Sequence, residues 1–114
     1  GKFFKEFILA PQTGAGGSTG GVAFSPDRQQ RLLFISDLTN NKIWFLNRET
    51  GTVVSQMGQM GENGGQWFGL HMIAVDSQGQ VYTGEVFNGE RVQRFVPADS
   101  PRGKLLDQLT RLTN

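Results

Sequence analysis

The sequence repeats itself. The segment VAFSPDRQQRLLFISDLTNNKIWFL, beginning at Val22, returns as IAVDSQGQVYTGEVFNGERVQRF, beginning at Ile73. Ala74 follows Ala23 by 51 residues and Val92 follows Ile43 by 49, so both copies keep one order: apolar strand, turn, strand, Asn-containing turn, strand. A period near 50 predicts propeller blades. A blade cannot bury both of its faces alone, and two blades cannot close a ring. The sequence therefore predicts part of a larger architecture, completed by oligomerisation or by further chain.

Read along its length, the chain divides into residues 1–19, an outer strand and Gly-rich linker; 20–66, a first blade; 67–103, a second blade; and 104–114, a tail. Phe3 to Leu9 reads as an opening strand. Val22 to Phe24, Arg31 to Asp37, Lys42 to Leu46 and Thr52 to Met57 then form a four-stranded meander. Its second strand is apolar on both sides, Leu32 and Phe34 against Leu33 and Ile35, which predicts burial on both sides. In the second copy Met72 to Val75, Gln80 to Val86 and Arg91 to Val96 are strands, with Asp76-Ser77-Gln78-Gly79 and Asn88-Gly89 as turns. No fourth strand is evident there, and the Phe3 to Leu9 segment is the candidate to supply it. Leu105, Leu109 and Leu112 stand at helical spacing in the tail, a short strand being the other reading. The expected fold class is all-β, two four-stranded blades.

Composition agrees and narrows the function classes. Sixteen glycines among 114 residues, clustered between apolar runs, fit many short strands joined by tight turns. Eleven basic and ten acidic residues leave a formal charge of +1 with no basic run, so neither a nucleic-acid nor a membrane partner is expected. The absence of cysteine excludes disulfides and thiolate metal sites without locating the protein. No apolar stretch is long enough to cross a bilayer, and the first residue is Gly1, so a soluble, processed or trimmed chain is expected.

The pattern IAVDSQGQVYTGEVFNGERVQRFVP resembles the NHL repeat: an apolar-Ala-Val-Asp strand, a Gly turn, a strand ending in an acidic residue, Asn, then a basic residue and an apolar strand. The first copy departs from it in Ser25 and in the longer turn from Pro26 to Gln30. The resemblance spans about two thirds of the chain and implies a six-bladed β-propeller. It also implies that Asp37, Glu85, Lys42 and Arg91 are scaffold residues tying turns to strand ends. A secreted or periplasmic setting comes only from this resemblance. The family holds ligand-binding scaffolds, RNA-binding modules and the peptidyl-hydroxyglycine amidating lyases.

His71 is the only histidine and precedes the inner strand of the second copy in WFGLHMIAVD. In the amidating lyases, which this segment resembles, histidines entering inner strands bind one catalytic zinc in the context Pro-His-x-Ile; here Leu70 replaces the Pro. A catalytic zinc needs about three protein ligands. One chain supplies one imidazole, whereas three two-bladed chains joined head to tail would bring three around the channel. The plainer reading is a histidine at the channel mouth meeting water or a carboxylate. Trp67 and Phe68 beside it, with Met57, Met60 and Met72 close in sequence, suit either an apolar ligand mouth or packing between blades; Trp44 and Tyr82 lie inside strands and read as core. GAGGSTGG leads into a strand, not a helix, so it is a linker and not a phosphate cradle.

Three functions follow in order. The first is a non-enzymatic module binding a ligand or protein at the channel mouth through Trp67, Phe68, His71 and Met72. The second is a zinc-dependent lyase or hydrolase with His71 as metal ligand in an assembled ring. RNA binding ranks last, since Lys2, Lys5, Arg28, Arg31, Arg48 and Arg91 are dispersed among acids. The expected partner is the chain itself, as a cyclic trimer in which Phe3 to Leu9 completes a neighbour's second blade, or the remainder of a longer propeller.

Overall fold

The two-sided apolar runs occupy the middle of a four-stranded antiparallel meander: β1 (Gly21–Phe24), β2 (Leu32–Asp37), β3 (Lys42–Asn47) and β4 (Val53–Met57), side by side in that order. The structure, a computed structural model, describes residues 1–113. Side-chain oxygens close the turns. The Asp27 carboxylate accepts from the Arg31 amide and from Ser25, and the Asn47 side chain accepts from the amides of Glu49 and Thr50. Strand register sorts the residues by side. Val22, Ile35 and Trp44 stand in one row, with Phe24, Leu33 and Leu46 in the next row of the same face; Ala23, Phe34 and Phe45 share the opposite face with Gly21, Ser36 and Ile43.

The Gly-rich loop that follows contains two short strands, β5 (Gln59–Met60) and β6 (Gln66–Trp67), paired in parallel. The second sheet is β7 (Leu70–Val75), β8 (Val81–Glu85) and β9 (Val92–Phe95), again antiparallel and in chain order. Its face with Ile73 and Thr83, Val75, Val81 and Phe95 meets the Phe34 face of the first sheet, and Phe34, Ile43, Trp67, Leu70 and Ile73 are the buried centre. Phe34 and Phe45 pack edge to face at 4.9 Å, and Trp67 lies 5.7 Å from Phe95. Gly58 backs onto Trp67 so closely that a Cβ there would stand 1.9 Å from the indole.

The first strands of the two sheets are neighbours. The buried Ser36 hydroxyl accepts from the Gly21 amide at 2.8 Å and donates to the His71 carbonyl at 2.8 Å. The chain is thus mostly β, in antiparallel sheets, with one short helix.

Two expectations need correction, and the helical reading of the tail holds with an earlier start. Phe3 to Leu9 is not a strand within this chain: the outer edge of the first sheet is already taken by β4, and the segment runs past the turn at 48–51 instead. There Lys5 donates to the Glu49 carbonyl at 2.8 Å and the Phe7 ring covers Gly51. The second sheet has three strands, not four, and among the described residues nothing pairs with the outer edge of β9. The tail is a helix, α1 (Pro101–Thr113), beginning earlier than its leucine spacing indicates. Pro101 takes the first helical position, and the Ser100 hydroxyl caps the amide of Gly103 at 3.0 Å.

Candidate functional site

An antiparallel meander returns alternate connections to one end of its sheet. Residues 38–41, 58–69 and 86–91 therefore gather at one end of the two sheets, and the turns at 25–31, 48–51 and 76–80 at the other. At the first end, polar side chains at strand ends hold the loops. Asn41, in the left-handed region at φ 54°, accepts from the amides of Gly69 at 2.7 Å and Leu70 at 3.3 Å, joining the two sheets.

The fully buried Glu85 side chain accepts from the Phe68 amide at 2.9 Å and from the Arg91 guanidinium at 2.9 Å through both oxygens. Arg91 then donates to the Gln66 carbonyl at 2.9 Å and to the carbonyls of Gly61 and Glu62, pinning the Gly-rich loop. Burial pushes the Glu85 carboxyl up. Hydrogen bonds from Arg91, the Phe68 amide and Gln93, with the Arg91 charge, outweigh that and hold it below its ordinary range. Gly89 passes so close that a Cβ would stand 2.5 Å from both the Glu85 carboxylate and the Phe68 carbonyl.

The matching acid of the first copy, Asp37, accepts from the Asn40 amide at 2.9 Å, the Asn40 side chain at 2.7 Å and the Trp44 indole N–H at 2.8 Å. Trp44 here does what Arg91 does for Glu85. Lys42 bonds Gln56 at 2.8 Å and covers the Trp44 ring, so it does not pair with Asp37 as the repeat implies.

Between these posts lies a shallow cavity of about 210 Å³ lined by Leu38, Asn41, Met60, Phe68, Gly69, Phe87 and Asn88. A second, of about 380 Å³, continues along Glu62, Phe68, Asn88, Gly89 and Arg91. Phe87 stands 70% exposed with φ 56°. A bulky residue in the left-handed region is strained by roughly 1–3 kcal/mol.

The four residues singled out from sequence do not form one site. Phe68 is half-buried and lines both cavities. Trp67 is fully buried, its N–H bonded to Thr83 at 3.0 Å, and so takes the packing role of the two open to it. His71 is exposed on β7, at a register shift between Leu70 and Met72, and Met72 is exposed on the side of β7 away from the first sheet. Among the described residues no group of three or more His, Asp or Glu stands close enough to hold a metal ion, so the donors of a single chain do not fit a zinc centre.

Sequence reasoning missed Phe87, Leu38, Asn41 and Asn88 as cavity residues, whereas Met60 was among the methionines it set beside Trp67 and Phe68. One signal was present: Phe87 is a large apolar residue between the strand-ending Glu85 and the Asn88-Gly89 turn, where no strand can bury it. No helix among the described residues is long and apolar enough to cross a membrane. Neither a known protein family nor any curated protein matches the sequence.

Proposed function

We propose that the chain is a pair of consecutive NHL-like propeller blades that binds a ligand or protein partner, without catalysis, at the mouth formed by its 38–41, 58–69 and 86–91 loops. The observation that carries this reading is Phe87: an exposed aromatic ring held in a strained backbone conformation at the edge of a cavity. Strain of this kind persists where it serves recognition. Support for the blade reading comes from the adjacency of β1 and β7, each the first strand of a meander that grows outward in chain order. The lining of Leu38, Met60, Phe68 and Phe87, edged by the Asn88 amide, suits an apolar or aromatic group such as a peptide side chain.

The test is a screen of short aromatic peptides by fluorescence anisotropy. Phe87→Ser is expected to weaken a selected peptide about 10- to 100-fold, since removing a buried aromatic contact costs about 1.5–3 kcal/mol. Equal binding by the variant rules out this mouth. The zinc-dependent lyase is the second reading, resting on the exposed His71 of β7. It requires His71 from several copies, and an assembled ring that stays free of zinc after equilibration with it eliminates that reading.

A further inference from the structure

Two sheet faces carry exposed apolar side chains, the first of them only in part because Ile35 and Leu46 on it are buried within the chain, and the repeat says what should cover the rest. On the first sheet, the face opposite the core carries Val22, Phe24, Leu33 and Val53; Val22 is 54% exposed and Phe24 and Val53 are also open. On the second sheet, the face away from the core carries Met72, Ala74, Tyr82 and Val92, with Met72 58% and Val92 79% exposed.

The 51-residue offset superposes Val22 on Ile73 and Phe24 on Val75. The open face of the first sheet is therefore the repeat-equivalent of the Ile73 face, which is already docked within the chain. The partner of that docked face is the row of Gly21, Ala23, Phe34 and Ile43, whose repeat-equivalents are Met72, Ala74, Tyr82 and Val92. These four make up the open face of the second sheet. Each uncovered face thus copies one side of the interface that the chain already contains. The match departs on the open row of the second sheet, where Met72 stands for Gly21, Gly84 for Ser36 and Arg94 for Phe45, and on the docked row, where Thr83 stands for Ile35 and Gln93 for Trp44, so the Met72 side chain must find room at the seam that Gly21 leaves free.

The same offset carries β4 (Val53–Met57) back onto residues 2–6, at the start of the exposed N-terminal segment. The second sheet lacks that fourth strand, and the outer edge of β9 is open. In repeat order the N-terminal segment precedes the first sheet, so it belongs to whichever sheet covers the Val22 face. Both observations name the same neighbour.

We infer that the two faces are mates between copies. The Val22 face of one copy receives the Met72 and Val92 face of a second, and residues 2–6 of the first add a fourth strand to β9 of the second. The occupant of each open face is a second copy of this chain, joined head to tail through unlike surfaces, an arrangement that grows until it closes. Backbone pairing along β9 removes an exposed edge at the same time. The inference rests on the reading of the sheets as consecutive blades.

Val22→Glu blocks one face and Val92→Glu the other, and both side chains are exposed in the single chain, so the substitutions leave its own core intact. By sedimentation velocity the parent chain is expected as a discrete assembly larger than a dimer. Each variant alone is expected to be monomeric, and an equimolar mixture to form a dimer and nothing larger. Removing residues 1–9 should weaken the assembly at least tenfold. A monomeric parent chain, or either variant retaining the parent mass, overturns the inference, as does a mixture that stays monomeric.

Near-ultraviolet circular dichroism of the buried Trp67 reads the sheet-to-sheet packing in the same samples. A monomer with that signal intact sinks the association and leaves the two-blade reading standing. Loss of the signal in the parent chain sinks both. Should a glutamate variant alone lose it, Phe24→Ser and Met72→Ser replace the pair, with the same outcomes expected.

Discussion

A single buried carboxylate holds the loop end of the second sheet. Glu85 ties Phe68, Arg91 and Gln93 together, and Arg91 carries the tie to the Gly-rich loop. Its folded value lies below its ordinary value of 4.5, so its contribution is complete above that pH and drains away as pH falls through the folded value. Arg91→Leu is expected to cost about 2 kcal/mol, less than the roughly 3–5 of a fully buried pair because Arg91 is itself 33% exposed. The same variant should move the acid midpoint upward, since burial then acts on Glu85 with less compensation. Urea titrations across pH 3 to 7 read both effects, and an unchanged acid midpoint would show that Arg91 does not set the carboxyl's affinity for protons.

Elements add a different dependence, on close approach. At Gly58, φ 92° and the nearness of Trp67 both exclude a side chain, so Gly58→Ala should destabilise by about 3 kcal/mol, combining overpacking and backbone strain. Thermal unfolding measures it. Ser100→Ala should cost about 1 kcal/mol and be felt first in α1, as faster amide exchange there with the sheets unaffected. The strands of both sheets were legible because apolar residues stand on both of their faces and Gly, Asn or Asp marks each turn. The pair β5 and β6 was not, because two residues carry no period and their pairing is fixed by tertiary contacts such as Arg91 to the Gln66 carbonyl. Phe87 was legible only as a residue out of place. Its role depends on how three loops converge, which strand order fixes and local sequence does not.

At the scale of the whole molecule, the chain leaves apolar area uncovered at both ends of its stack of sheets. If copies cover it, the thermal midpoint must rise with protein concentration, and a tenfold dilution should lower it by a few degrees. A midpoint independent of concentration, measured by calorimetry, would place all the stability inside one copy. The N-terminal segment forms no strand within one copy for a related reason, because β4 already takes the outer edge of the sheet it leads into. The contact between β1 and β7 has a mechanical side. Gly20 and Gly21 lie so near the His71 carbonyl that a Cβ would stand 3.0 and 3.2 Å from it. A methyl group at Gly20 would act as a wedge, prying the sheets apart at their inner strands and carrying the bulged His71 backbone with it. The position of the only imidazole is thus geared to the bulk of a residue one repeat earlier, whose own side has nothing to offer a ligand.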